Sequence, residues 1–268
     1  MIIINGRPLS DLVAAILDFD GYTLPAAVVR ETLAVPNTSA QQPSGTVAAQ
    51  ATPIDLTVEI RGTTLADRTR VRDALLGELS GLLEIEVPDE MPGRVLRCLL
   101  RDQRPTVRRW GGLNWAHGGQ DLVIPLRALD GAWLDIEPTI LALSTVPVAC
   151  PIGTVSVAPR VEVFGATTPV VNPVVQQRTA GGTLAATLPL VGSLGAGVAI
   201  EVDTADALTY RRTTGTRALA LDALGPIGAS LPLLDPADAS PAVGRFPTLA
   251  LTATTGTPSG RVIYRRAY

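Results

Sequence analysis

Few residues in this chain have the type and spacing to do chemistry. Its one histidine, His117, sits in Gly111-Gly112-Leu113-Asn114-Trp115-Ala116-His117-Gly118-Gly119. A catalytic imidazole needs a rigid setting and an orienting partner, whereas flanking glycines predict a surface hairpin tip. The two cysteines, Cys98 and Cys150, are too few for a disulfide scaffold or a four-thiolate zinc site. Cys98 falls in an alternating apolar stretch and reads as a small buried hydrophobe. All 22 basic residues are arginine. Schiff-base chemistry, Walker-type phosphate loops and Ser–Lys dyads all need lysine, so those classes are excluded.

Three further patterns invite a functional reading. Gly192-Ser193-Leu194-Gly195-Ala196-Gly197 looks like a nucleotide loop, but its spacing is not the dinucleotide fingerprint and no helix pattern follows it. It reads as a turn between strands. Asp203 with Asp206, and Asp235 with Asp238, could offer oxygens to calcium, yet neither pair lies in an EF-hand pattern. Asp at strand ends ordinarily closes an Asx turn. Trp110, Trp115 and Trp133 are interleaved with Arg104, Arg108 and Arg109. Such residues serve either as a stacking platform for sugar or nucleic acid or as interface anchors. In a chain with 4 % aromatics, the interface reading of Trp110, Trp115, Trp133, Arg108 and Arg109 is preferred. No catalytic residue, metal ligand or cofactor is assigned. A carboxylate pair for glycoside hydrolysis is assembled only in three dimensions, and nothing in the sequence singles one out.

The elements that must carry these residues are short. With 268 residues, 46 % of them apolar, the chain can build one large or two ordinary cores, and 25 Gly and 22 Pro spread along it suggest many strands and tight turns. The net charge of −3 recruits neither nucleic acid nor acidic membrane. The start, Met1-Ile2-Ile3-Ile4-Asn5-Gly6, lacks the features of a signal peptide, and no apolar run approaches the roughly 20 residues of a membrane span. A soluble protein made in the cytosol is expected.

Ile2–Ile4 before Asn5-Gly6 reads as a strand entering a turn. Asp18–Gly21 reads as a second turn, and Tyr22–Thr32 as extended. Pro36–Pro53, uncharged and rich in Ser, Thr, Gln and Ala, reads as a long loop or arm ordered only by a neighbour. Ile54–Arg61 alternates as a half-buried strand. Thr64 caps a helix over residues 65–79, with Asp67 as its third residue and Val71, Leu75, Leu79 and Leu82 on its apolar stripe. Arg68, Arg70, Arg72 and Asp73 stay outside that stripe. Further strands follow at Leu83–Val87, Val95–Asp102 and Leu122–Ala128, where Pro125 suggests an edge or a bulge. After a connection near residues 143–153 the chain alternates in short strands with no helix, as a sandwich does.

This order resembles the N-terminal domain of siphophage distal tail (baseplate hub) proteins. The resemblance is carried by the strand Ile54–Arg61, the helix after it, Leu83-Glu84-Ile85-Glu86-Val87, Arg94–Leu100, and the segment Asp121–Leu129 closing at Asp130-Gly131-Ala132-Trp133. The stretches Pro159–Gly165, Val198–Thr204 and Val262–Tyr268 are similar to that family's galectin-like or carbohydrate-module-like sandwich. The long uncharged arm and the mostly aliphatic second half depart from the family pattern.

The resemblance implies a mainly β chain of two domains. Residues 1–145 would form a split-barrel or sandwich with one α-helix, 146–152 a linker, and 153–268 a β-sandwich projecting outward. It further implies a non-enzymatic virion protein that forms a ring, a homohexamer, at the tail tip. Its partners would be the tail tube protein, a tail-tip hub or tail-associated lysin, and receptor-binding proteins. DNA would pass through the lumen without specific binding, so few arginines should line it. The competing expectations are a carbohydrate-binding module of a host-recognition device and, behind it, a hydrolase.

Overall fold

The computed structural model describes residues 1–13, 15–22, 28–34, 41–49, 53–62, 64–101, 106–109, 120–129, 131–206, 208–225 and 230–268. The chain divides into two compact units, Met1–Leu134 and Asp135–Tyr268.

The first unit opens with β1 (Ile3–Ile4) and β2 (Arg7–Pro8). Asn5 and Gly6 between them both take positive φ, 50° and 77°. Two consecutive left-handed residues make the tight hairpin turn for which Asn-Gly is suited. Then come β3 (Ala15–Asp20), β4 (Val28–Ala34), β5 (Gln41–Ala49) and β6 (Pro53–Ile60). The helix α1 (Leu65–Glu78) is followed by β7 (Leu83–Glu86), β8 (Arg94–Leu100), β9 (Thr106–Arg109) and β10 (Gln120–Ala128). The main sheet runs β2-β1-β7-β8-β10-β6-β3, with β9 also paired to β10.

One face of this sheet and one face of α1 form the core. Ile54, Leu56, Val58 and Ile60 from β6, and Leu122, Ile124, Leu126 and Ala128 from β10, are buried there with Leu75 and Leu79 of the helix. Alternation read from the sequence therefore sets the correct faces. Thr64 caps α1 as expected: its Oγ1 accepts from the Asp67 N–H at 3.1 Å.

Five local expectations need correction. Arg68 is buried, on the inward face with Leu75 and Leu79, and Leu82 is exposed while Leu83 takes the core position. Gly62 gives Arg68 its room, since a Cβ there would stand 2.9 Å from the Arg68 Cγ. Residues 18–20 continue β3 rather than turning, because a bulge between Ile16 and Asp18 hides the strand's alternation. Leu17, the extra residue, faces solvent. Part of the expected arm is a strand, with β5 paired antiparallel to β4 in its own two-stranded sheet; residues 36–40 and 50–52 lie outside the described residues.

Finally, Pro125 is not on an edge. β10 pairs with β6 on one side and with β8 and β9 on the other. The Pro125 carbonyl accepts from the Arg101 N–H at 2.9 Å, so its nitrogen faces that same side. There β8 has ended at Leu100 and β9 begins only at Thr106. The residue without a donor occupies the seam between two partner strands.

The second unit follows the two-residue β11 (Leu134–Asp135). Its strands are β12 (Thr139–Leu143), β13 (Val148–Ala149), β14 (Arg160–Phe164), β15 (Val170–Val171), β16 (Val174–Arg178) and β17 (Leu184–Pro189). These continue with β18 (Ser193–Leu194), β19 (Ala199–Asp203), β20 (Leu208–Thr213), β21 (Thr216–Leu219), β22 (Thr248–Thr252) and β23 (Ser259–Tyr264). A six-stranded sheet, β12-β23-β14-β19-β20-β21, and a four-stranded sheet, β13-β22-β16-β17, enclose a common core. Val161, Val163, Ile200, Val202 and Val262 enter it from one side, and Val175, Leu188, Leu249 and Leu251 from the other. This is the sandwich read from the sequence.

The stretch 146–152, read from the sequence as a linker, belongs to this unit. Val148 and Ala149 pair with Leu249 and Thr248, and Cys150 and Ile152 are core residues. Likewise Thr139–Leu143, placed in the first domain by the sequence reading, pairs along β23. Small uncharged residues with prolines suit a linker and a short edge strand equally, and the partner strand lies about a hundred residues downstream, on the order of the separations that local reading cannot see.

Candidate interaction surface

The aromatic and arginine residues singled out in the first unit do not form one described cluster. Trp133 is a core residue, 5 % exposed. Its Nε1 donates to the Tyr22 carbonyl at 2.9 Å, and its ring meets Tyr22 edge-on at 6.3 Å between centroids. It therefore offers no outer contact surface from this position. Tyr22 in turn stacks on Phe19 and donates to Glu90; that carboxylate and burial push its phenol up to about 12. Arg108 and Arg109 lie on β9, opposite Asp121 and Gln120 of β10. Trp110, Trp115, Arg104 and His117 lie outside the described residues.

Both aspartate pairs behave as turn residues at their first members. The Asp203 Oδ1 accepts from the Ala205 N–H at 3.0 Å, and the Asp235 Oδ1 from the Ala237 N–H at 2.8 Å. Among the described residues no group of three or more His, Cys, Asp or Glu side chains could hold a metal ion. Gly192–Gly197 is a turn segment around the two-residue β18. Its Gly195 carbonyl lies so close to Gly165 that a Cβ there would stand 2.0 Å from the oxygen. Both cysteines are buried and neither is in a disulfide; burial pushes the Cys150 thiol up to about 12, which leaves it unreactive near neutral pH.

The most organised polar constellation was not singled out from the sequence. It lies on the outer face of the six-stranded sheet. Along β14, Val161 and Val163 point into the core, so Arg160, Glu162 and Phe164 point out. Glu162 stands directly opposite Glu201 of β19. Two like charges at directly opposed positions repel, and these two are only 1 % and 5 % exposed. Guanidiniums from four strands compensate them. Glu162 meets Arg261 of β23 at 2.8 Å, Arg160 at 3.4 Å and Arg212 of β20 at 3.5 Å. Glu201 meets Arg217 of β21 at 2.5 Å and Arg160 at 3.9 Å.

Two of the guanidiniums also sit near rings, Arg217 at 3.6 Å from the Tyr210 centroid and Arg261 at 5.8 Å from that of Phe164. At one end of the network a cleft of about 290 Å³ is lined by Phe164, Gly165, Val198, Arg212, Thr213 and Thr214 among others. In the sequence these residues read only as the polar half of alternating strands. The register that joins residues 160, 201, 212, 217 and 261 is not local.

A β-rich, two-unit chain with, among the described residues, one α-helix in the first unit and a β-sandwich in the second is the class this fold defines. No family model matches the chain, and no curated protein matches it. Among solved structures it is similar to the SPP1 Dit protein, described as a paradigm of the hub adsorption apparatus in phages infecting Gram-positive bacteria. That likeness has a TM-score of 0.72 at 14 % identity and covers 100 % of this chain and 98 % of the other. It is also similar to a chain of the phage p2 baseplate in its activated conformation with strontium, with a TM-score of 0.50 at 9 % identity, over 94 % of this chain and 90 % of that one. The chain thus has the fold of a phage distal tail protein.

Proposed function

We propose that this protein is a structural subunit of a phage particle, located at the tip of the tail. Its copies close into a ring, a homohexamer, that joins the tail tube to the baseplate or host-recognition apparatus. The observation that carries this reading is end-to-end correspondence with a hub protein: both units, in the same order, over nearly the full length of both chains. A chance likeness of one common sandwich would leave the other half unmatched. In this reading the first unit makes the ring and the second projects outward. The tail tube protein docks on one side, a tail-tip hub or tail-associated lysin on the other, and receptor-binding proteins at the periphery. DNA passes through the lumen unread, and the role is non-enzymatic.

Light scattering after size exclusion, together with electron micrographs of the chain alone and beside its tube protein, tests the reading. Six-fold rings that cap tube ends are the expected result. A chain that stays monomeric even with tube protein present would overturn it. The carbohydrate-module reading has less support, because the Tyr210 ring on the outer sheet face is already covered by Arg217. A sugar face would have to displace that cation.

A further inference from the structure

We infer that the outer face of the six-stranded sheet, built on Arg160, Arg212, Arg217 and Arg261, docks an acidic protein surface. The charges on this face are layered. Glu162 and Glu201 lie beneath at 1 % and 5 % exposure, while the four arginine side chains above them remain 38–49 % exposed. Asp203, which also has the outward register of this face, gives an oxygen to the Ala205 N–H of its own turn. Over Glu162 and Glu201 an approaching partner meets the four cations first.

The buried carboxylates also hold the guanidiniums in place, as do the Tyr210 and Phe164 rings. A cation already fixed loses little rotamer freedom when a second carboxylate arrives on its free N–H groups. The arginines come from β23, β14, β20 and β21, so with β19 between them the row crosses four strand spacings, roughly 19 Å at about 4.8 Å each. That is the width of a protein contact rather than of a single bound ion.

The flanks favour a protein over a phosphate polymer. Ile140, on the edge strand β12, and Leu219, on the opposite edge strand β21, are 54 % and 56 % exposed, and both have the outward register of this face. Arginine and tyrosine between exposed aliphatics is the composition of a protein interface. A polyphosphate would use the cations and leave those aliphatics in water.

The test uses the full chain and a decaglutamate peptide flanked by leucines, titrated by calorimetry at low and moderate salt, with inorganic polyphosphate as a second ligand. Binding of the peptide, weakened by salt, is expected. The double variant Glu162→Gln/Arg212→Gln removes one buried anion and one exposed cation, so net charge is unchanged and pairing beneath stays balanced. It should bind the peptide at least tenfold more weakly. Glu162→Gln alone keeps all four guanidiniums but removes the anchor shared by three of them, so it should bind more tightly than the double variant. Leu219→Ser should weaken the peptide and leave polyphosphate unaffected. Circular dichroism melts of each variant check that it is folded. No peptide binding, equal binding by the folded double variant, or preference for polyphosphate with no effect of Leu219→Ser would each overturn the proposal, as would a photo-crosslink from position 164 that reaches only a second copy of this chain.

Discussion

Asp238 shows how a single carboxyl group couples this sandwich to pH. Burial first, and the neighbouring Asp235 second, disfavour its charged form and raise its pKa above the usual carboxylate value. The folded chain therefore holds this proton more tightly than the unfolded chain does. Its contribution to stability is complete at low pH, where both states are protonated, and is lost as pH rises through the raised value. Asp238→Asn should accordingly raise the melting temperature at pH 7, with the gain shrinking to nothing toward pH 3, as thermal melts across that range would record. At this scale the sequence was informative where a residue acts on its own neighbours. The Asx turns of Asp203 and Asp235 and the burial of Cys98 are local consequences of residue type. It was uninformative where a residue's surroundings come from far away. Arg68 is buried because Gly62 leaves space beside it, and Glu162 is buried beneath arginines 50 and 99 positions along the chain.

Among the elements, α1 was legible in its position and its cap, though not in the burial of Arg68. Thr64 and Asp67 announce its start, and Gly81, with φ 94°, lies just past its end. Thr64→Ala removes the acceptor for the Asp67 N–H and should cost about 1 kcal/mol, read as a lower midpoint in urea with an unchanged slope. A Thr64→Ser variant should recover most of the loss, since its hydroxyl can make the same bond. Strands with clean alternation, such as β6 and β10, were equally clear. The strands that escaped notice each break a simple rule for a physical reason. A bulge interrupts β3. β5 has a composition that suits a loop, and its ladder with β4 is broken by an irregularity between Arg30 and Thr32. β13 is two residues long and is defined only by β22, a hundred residues away.

At the scale of the molecule, two separate apolar cores, one per unit, account for the division of the chain. Each contains enough buried aliphatic surface to support cooperative folding, as domains of this size commonly do. A fragment spanning Asp135–Tyr268 should unfold in one calorimetric transition, while a fragment cut at residue 153 should not, because it lacks β12, β13 and the core residues Leu143, Cys150 and Ile152. This boundary has no sharp sign in the sequence, since it falls inside the two-residue β11, Leu134–Asp135. The register of the first unit's sheet depends on one residue, Pro125. Sliding β10 by two residues would bring the proline ring against Thr106 or Leu99, where a main-chain oxygen would lose its donor, and sliding by one would turn Ile124 and Leu126 toward water. An imino acid placed at one gap thus makes misthreading of the whole first unit self-limiting.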